Sequence, residues 1–478
     1  MKYIQVNNLD FQDIKTALKD YLRAQTDFTD FDFEGSVWSN LLDVLAYNTY
    51  YTAFNTNMVV NEMFLESATL RDNVVSLAKQ LGYKPKSVVS PQATVNFQVN
   101  FTGTYPSTIT LKKGTGFVTS FDDKIYRFVT IDDQKVGVIN GQAVFENVDL
   151  YEGSVITETF TRNTSLTNQR FALGNPNADT STLRVKVFPV EGATSFRYLN
   201  QINNIIDIGA SDGIFYVDET LDERYELFFG DNVIGKALEN NEFVEVSYLV
   251  SSGSAANGAA VFTFSGVLVD DAGISYPNTI SNVVTLSSAN GGADIESIDK
   301  IKFNAPKLYA TQNRAVTAGD YGAIIRQIYP AVSDIITYGG EEERYPEFGK
   351  VKIVIKPESG ATLSSVTKKQ IIEKLKDYAV ASVTPEIKDP SILYLELDSK
   401  VNFSTRVTNQ FPDDIKFKVT SGVEQYTKLS GTEKFNGKFR YSKYVGVIDN
   451  ADPSITSNST TVLMRKDFYP QINTSTYY

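Results

Sequence analysis

Apolar side chains recur every three or four residues through the first 86 residues, which is the spacing of amphipathic helices. Asp10 is a suitable N-cap for a helix predicted over 11–23. A second run follows Gly35-Ser36 and gives the strongest helical pattern in the chain. A third run, from Leu70 to Leu81, stops at Gly82, and Pro85 prevents its continuation. The pattern predicts a helical bundle segment over residues 1–86.

The second predicted helix is apolar over more than one narrow face, since aromatic residues such as Tyr47 and Tyr51 extend its stripe. Packing of three helices on one another accounts for much of this pattern, and a partner helix is the alternative use of the excess surface. On the second interpretation, the partner-helix interface consists of Trp38, Leu41, Leu42, Leu45, Tyr47, Leu70, Val74 and Leu77.

Residues 87–293 change to short alternating segments separated by Gly, Asn, Asp and Pro, which predicts a β-rich region of more than one sheet. Ala93–Phe101 and Phe243–Val250 are the clearest strands. Two low-complexity stretches, Ser251–Ala260 and Ser287–Ala293, are typical of flexible joints between rigid domains.

Beyond residue 293, helix and strand patterns alternate in the order α, β, β, α, β, β. This order predicts an α+β sandwich over 294–404, with helices on one face of an antiparallel sheet, and a further α/β segment over 405–478 packed on it. Tyr321, Ile324 and Ile325 lie on one predicted helix and are predicted as subunit-contact residues. The fold class is therefore α+β multidomain: helical segment, β-rich middle, and C-terminal sandwich.

The composition excludes several classes of function. The 478 residues include no His and no Cys, so imidazole bases, thiolate nucleophiles and zinc sites built from them cannot form. A net charge of -12 disfavours nucleic acid, and no apolar run is long enough to cross a membrane. Gly114-Thr115-Gly116 is a turn rather than a phosphate loop, and Glu341–Glu343 lacks the spacing of a calcium loop. We expect no catalytic residues, metal or cofactor.

Short motifs throughout the chain resemble the baseplate wedge protein of T-even-like contractile-tail phages, within the baseplate J-like family. Their order and spacing agree over more than 400 residues. They are Asp32–Ser36, Leu45–Thr49, Ala68–Val75, Leu81–Pro85, Gly114–Phe117, Glu226–Gly230, Gly253–Gly258, Gly291–Asp294, Arg314–Tyr321 and Asp449–Ser454.

The resemblance implies a structural subunit of the virion's tail baseplate, assembled in the host cytoplasm and present twice in each of six wedges around the hub. It implies that the region from Asp32 to Tyr83 joins helices of another wedge protein in a trimeric core bundle. It also implies that residues 294–478 pair with a second copy of the chain and close the ring. The sheath initiator and a small wedge-closing protein are expected nearby, and no catalysis is expected.

Two other functions remain open from the residues alone. A carbohydrate- or receptor-binding virion protein would use the β-rich middle and its aromatic residues. A cell-wall hydrolase would need a pair of carboxylates, and no motif marks one.

Overall fold

The computed structural model describes residues 10–25, 37–102, 104–166, 169–202, 208–220, 223–277, 283–358, 360–380, 383–408 and 410–467. Its N-terminal part contains α1 (Phe11–Arg23), α2 (Val37–Glu62) and α3 (Arg71–Gln80). The Asp10 carboxylate caps α1 by accepting the backbone N–H of Gln12 at 2.7 Å. Gly82 follows α3 with φ +73°, a left-handed conformation that glycine adopts without strain. The predicted cap Ser36 lies outside the described residues.

The β-rich middle is confirmed and forms three sheets. Their strand orders are β14-β3-β4-β6-β1-β17, β7-β13-β9-β10-β11-β12-β8 and β16-β15-β2-β5. The strands are β1 (Gln92–Asn100), β2 (Thr108–Leu111), β3 (Gly116–Phe121), β4 (Lys124–Val129), β5 (Gln134–Gly137), β6 (Gln142–Glu152), β7 (Ser154–Thr161), β8 (Phe171–Ala172), β9 (Ala178–Phe188), β10 (Arg197–Gln201), β11 (Ile214–Glu219), β12 (Tyr225–Phe229), β13 (Phe243–Val250), β14 (Thr263–Phe264), β15 (Val267–Asp270), β16 (Ser275–Pro277) and β17 (Val284–Asn290).

Buried and partly exposed side chains alternate along these strands, so that one face of each sheet lies against the core. In β1, Ala93, Val95, Phe97 and Val99 point inward and are buried, while the residues between them are partly exposed. The six-stranded and seven-stranded sheets each have their own apolar core, as expected for separate β units.

The two predicted flexible joints are instead ordered, which corrects that prediction. Glu152 is buried and accepts the Ser251 hydroxyl at 2.7 Å and the Ser252 N–H at 2.9 Å. Asn257 exchanges two hydrogen bonds with the backbone of Gly292. The small side chains of both stretches allow this close backbone approach, which composition alone does not distinguish from flexibility.

The C-terminal part begins with a three-stranded sheet in the order β18-β19-β20, covered on one face by helices. Its elements are α4 (Ile298–Thr311), α5 (Ala318–Ile328), β18 (Val332–Gly339), β19 (Lys350–Pro357), α6 (Ser365–Leu375) and β20 (Thr384–Lys388). Thr317 and Asp320 form a capping box that fixes the start of α5. β19 and β20 are parallel, so the sheet is mixed rather than purely antiparallel as predicted.

The last predicted strand of the sandwich belongs to a different unit. β21 (Tyr394–Phe403) pairs antiparallel with β22 (Ile455–Arg465), and α7 (Pro412–Ser430) and α8 (Tyr441–Asp449) lie between them in sequence. The sheets therefore divide near residue 390 rather than at the predicted 404. The element order was right, but strand pairing over about 60 residues of sequence is not visible in the local pattern.

The N-terminal helices are not an independent bundle. Val74, Val75, Ala78 and Tyr83 are buried in one core with Ile301 and other residues of the C-terminal α+β unit. α3 is thus part of that unit's core, whereas α1 and α2 lie outside the three apolar cores of the described residues. The fold class, α+β multidomain, is confirmed.

Candidate assembly surface

Helix α2 buries mainly small or polar side chains, with Leu42 as the large apolar exception, and leaves most of its large apolar side chains exposed. It is 26 residues long, about 39 Å at 1.5 Å per residue. The buried residues of α2 are Ser39, Leu42, Ala46, Ala53, Asn57 and Asn61. The large apolar residues exposed along it, which we call the outer face, are Val37, Trp38, Leu41, Val44, Leu45, Tyr47, Tyr51, Phe54 and Val59.

The outer face is unusually apolar for a solvent-exposed helix. Trp38 is 49% exposed, Leu45 45% and Tyr47 55%. No charged residue lies between Asp43 and Glu62 in the sequence. Helices exposed to water normally carry charged residues on that side, and a contiguous apolar surface marks an interaction site.

α1 covers only one side of α2. Lys15 of α1 forms an ion pair with Asp43 of α2 at 2.6 Å, which fixes how the two helices meet. None of the α1 side chains is fully buried by this contact. α1 therefore leaves the outer face open.

Five hydroxyl groups near the outer face form hydrogen bonds within the helix. The hydroxyls of Thr49, Thr52 and Thr56 each donate to the carbonyl four residues earlier, at 2.8 to 2.9 Å. The Tyr47 and Tyr51 hydroxyls are 2.8 Å apart, and their hydrogen bond raises the pKa of Tyr47. Such groups can be buried against a partner without leaving a donor unsatisfied. The sequence analysis missed these threonines, although their spacing of three and four residues is visible.

In the structure, some of the residues predicted as a partner-helix interface are exposed and others are buried. Trp38, Leu41, Leu45 and Tyr47 are exposed on α2, and Leu70 is exposed just before α3. Leu42 is instead buried. Val74 is fully buried and Leu77 partly buried against the C-terminal core, so these three do not lie on an open surface.

Tyr321, Ile324 and Ile325, predicted as subunit-contact residues, are fully buried in the core of their own unit. This is a correction: they pack where α5 meets the sheet and are not available to a second subunit in this conformation. Amphipathic periodicity identifies the apolar side of a helix, but it does not reveal whether that side faces its own sheet or a partner.

The face of the β18-β19-β20 sheet opposite these helices carries an ion network. Lys352 is fully buried there and its ammonium contacts Glu386 at 2.6 Å and Glu347 at 2.9 Å. The two lysines at positions 350 and 352 hold the pKa of Glu347 at about 2. This face therefore combines a charged cluster with the apolar pair Ile336 and Val354.

Within the described residues, no group of three or more potential ligand side chains could hold a metal ion. No described helix has the length and apolar character needed to cross a membrane.

The comparisons with known proteins agree with this division of the chain. Residues 10–83 match the family "Baseplate wedge protein gp6-like, helical domain". Residues 317–388 match "Baseplate structural protein gp6, C-terminal domain I", and residues 391–467 match its C-terminal domain III. The last two matches meet at the boundary near residue 390 seen in the sheets.

The baseplate wedge protein gp6 of Enterobacteria phage T4 is 28% identical over 476 residues, which cover 96% of this chain and 70% of the relative. A solved anti-feeding prophage baseplate chain is 13% identical, with a TM-score of 0.33 over 97% of this chain and 96% of that chain. A chain of the type VI secretion TssK-TssF-TssG baseplate subcomplex is 6% identical, with the same TM-score over 72% and 96%. These TM-scores are too low to support a shared overall fold.

The three domain matches occur in the expected order, and one relative is similar over nearly the whole chain. Both findings agree with the motifs found along the sequence. The chain is similar to the gp6-like phage baseplate wedge proteins over nearly its whole length, and this similarity supports a structural subunit of the contractile-tail baseplate in the virion.

Proposed function

We propose that this wedge subunit joins a bundle of helices through the outer face of α2. The observation that carries the proposal is that α2 buries mainly small or polar side chains and exposes most of its large apolar ones. A helix that served only its own chain would bury the large side chains instead.

The energetics favour a helical partner. Complete burial of a large apolar side chain contributes about 2 kcal/mol, and residues already half covered contribute roughly 1 kcal/mol each. Several such residues along about 39 Å of helix support a stable contact with one or two parallel helices. The threonine hydroxyls, already bonded to their own helix, add no desolvation penalty.

We further propose that the partners are other baseplate wedge proteins. They include a core-bundle partner, a wedge-closing protein, the sheath initiator and a second copy of this chain. In this proposal, pairing through the C-terminal units within 294–478 closes the ring around the tail hub. The support is the similarity of the chain to the gp6-like wedge proteins. The corrected positions of Tyr321, Ile324 and Ile325 require that pairing to use other residues.

We also propose that the subunit is not an enzyme. The absence of His and Cys removes the commonest bases and nucleophiles. Turnover of peptidoglycan or polysaccharide that is lost on changing one Asp or Glu would contradict this.

The test of α2 is Leu45→Asp in the full chain. A carboxylate placed in an apolar seam must be desolvated or protonated, so we expect loss of co-purification with the other wedge proteins. Circular dichroism should be unchanged, because Leu45 is 45% exposed in the free chain.

The matched control is Ile125→Asp, which places the same charge at another exposed apolar residue, on β4. We expect this variant to co-purify normally. Normal assembly of Leu45→Asp would contradict the proposed bundle, and loss of assembly in both variants would show that the effect is not specific to α2.

A further inference from the structure

A cavity of 670 Å³ lies where three parts of the chain meet. Its walls are the connection 84–90 after α3, strands β9, β11 and β12 of the seven-stranded sheet, and helices α5 and α6. This volume is typical of small-molecule binding sites, which range from about 300 to 1,000 Å³. None of the residues of the outer face of α2 lines this cavity.

Three lysine side chains line the cavity without a carboxylate partner. Among the described residues, Lys84, Lys86 and Lys374 have no carboxylate oxygen within 4.0 Å. The nearest aromatic contact is that of the Lys84 ammonium, 5.8 Å from the centre of the Tyr216 ring. Burial lowers the pKa of Lys86; Glu296 opposes this, while Lys374 and Lys84 lower it further. Positive charge therefore converges on the cavity; Asp218 near Lys84 and Glu296 near Lys86 oppose it, but neither forms an ion pair with these lysines among the described residues.

The carboxylates that line the cavity form no ion pair with these three lysines within the described part of the chain. Most of them have other hydrogen-bond or ion-pair partners. Glu219 forms an ion pair with Arg71 at 2.6 Å, and Asp218 lies 3.5 Å from the Lys79 ammonium. The Asp179 carboxylate accepts hydrogen bonds from the backbone N–H of Ser90 and from the N–H and hydroxyl of Ser181. Asp377 is exposed to solvent.

Two buried polar atoms on the cavity wall also lack a partner in the described part of the chain. They are the Tyr225 hydroxyl and the Gln327 side-chain oxygen. Buried polar groups in folded proteins nearly always have a hydrogen-bond partner, so an unpartnered group that lines a cavity indicates a ligand or ordered water. The amide of Gln327 can present either its oxygen or its NH₂ group by rotation, and it can therefore donate as well as accept.

We propose that this cavity binds a small multivalent oxyanion of the phosphate class, held by Lys84, Lys86 and Lys374 and by the Tyr225 hydroxyl. Ammonium and hydroxyl groups donate to the anionic oxygens, and Gln327 completes the site. Charge-assisted hydrogen bonds of this kind are among the strongest in proteins. More than one ammonium favours an anion with more than one charge over a monocarboxylate.

The ligand would also stabilise the junction of the three regions. Lys84 and Lys86 lie on the connection after α3, Tyr225 on the seven-stranded sheet, and Lys374 on α6. A ligand that contacts all of them binds the folded arrangement and not the unfolded chain. Saturating ligand therefore raises the unfolding temperature of the whole subunit.

The experiment is isothermal titration calorimetry of the full chain with inorganic pyrophosphate at constant ionic strength. Citrate, titrated separately, distinguishes the phosphate class from carboxylates of similar charge. The variants are Lys86→Gln and Lys374→Gln. Lys124→Gln, at an exposed lysine that begins β4, is the control for the loss of one positive charge.

We expect saturable pyrophosphate binding, stronger than citrate binding, that is unchanged in Lys124→Gln. It should weaken at least about tenfold in Lys86→Gln, the loss expected for one buried charge-assisted bond. Lys374→Gln, on the exposed side of α6, should weaken pyrophosphate binding severalfold. This second variant tests the proposal even if Lys86→Gln does not fold. Absence of saturable pyrophosphate binding, equal binding by all variants, or preference for citrate would overturn the proposal.

Discussion

Arg71 is the residue that joins the helical segment to both other parts of the chain. Its guanidinium donates two hydrogen bonds to Glu219 of β11, at 2.6 and 3.1 Å, and one to the Glu296 carbonyl, at 2.5 Å. The Glu296 side chain in turn accepts from Tyr83 at 2.5 Å and from Asn304 at 2.9 Å. One buried cluster thus connects α3, the seven-stranded sheet and the C-terminal α+β unit.

Arg71→Leu should weaken this junction strongly. It leaves Glu219, whose side chain is 3% exposed, as a buried carboxylate without its partner, a change that costs about 3 kcal/mol. We expect amide hydrogen exchange in α3 to accelerate by about a hundredfold. Arg23→Leu, which removes an exposed i,i+3 pair with Asp20, should change exchange in its own helix by severalfold at most. Unchanged protection of α3 in Arg71→Leu would contradict this account of the junction.

Asp452 makes the last unit of the chain sensitive to acid. The Lys418 ammonium at 2.7 Å, the Ser454 hydroxyl at 2.7 Å and the Ser454 N–H at 2.9 Å hold the pKa of Asp452 at about 2, below its usual 3.8.

Because the folded-state pKa is lowered, the ionised carboxylate stabilises the fold above about pH 4, and this contribution is lost as pH falls toward 2. Asp452→Asn should reduce the difference in β22 hydrogen-exchange protection between pH 4 and pH 2. An identical pH dependence in the variant and the unaltered chain would show that Asp452 is not the responsible group.

At the scale of elements, the junction containing Gly253 requires glycine for two reasons. Its φ is +69°, and a Cβ there would overlap the carboxylate of Asp294. That carboxylate accepts the N–H of Ser254 at 3.0 Å. The segment predicted as flexible from its composition is therefore a closely packed corner.

Gly253→Ala should destabilise the chain by at least about 2 kcal/mol, the sum of the positive-φ penalty and the steric overlap. Gly273→Ala is the matched control, because φ there is +82° but no atom lies within 4 Å of the added Cβ. It should cost only about 1 kcal/mol. Differential scanning calorimetry compares the two variants, and equal unfolding temperatures would argue against a tightly packed corner at Gly253.

The local sequence predicted most helices and strands closely. The spacing of apolar residues indicates the type of each element, and capping or turn residues mark its ends. Thr317 and Pro330 bracket α5 near its ends, and Phe243–Val250 is the strand that its alternation predicts. Contacts between distant segments were not predictable in this way. The pairing of β21 with β22 and the packing of Val74 on the C-terminal core depend on which apolar surfaces meet in space. In the same way, the sequence predicted that this side of α2 is apolar, but only the structure shows that it is exposed to solvent.

At the scale of the whole molecule, α3 sets where the chain can be shortened. Removal of residues 1–83 would take Val74, Val75, Ala78 and Tyr83 out of the C-terminal core. A chain beginning at Glu62 should remain folded. A chain beginning at Lys84 should lose several kcal/mol of apolar burial and expose Ile301, so we expect aggregation or reduced helical signal. Size-exclusion chromatography with circular dichroism compares the two, and equal folding would show that α3 is dispensable.

Whether assembly covers the outer face of α2 can be tested at a single residue of the chain. Trp38 is the only tryptophan of the chain, and it lies at the N-terminal end of that face with 49% of its surface exposed. The most direct measurement is ¹⁹F NMR of the full chain carrying 5-fluorotryptophan, with the other wedge proteins unlabelled. When the wedge forms, we expect the resonance to shift and to lose its solvent isotope effect. A wedge that forms with the Trp38 resonance unshifted and equally solvent-exposed would contradict it.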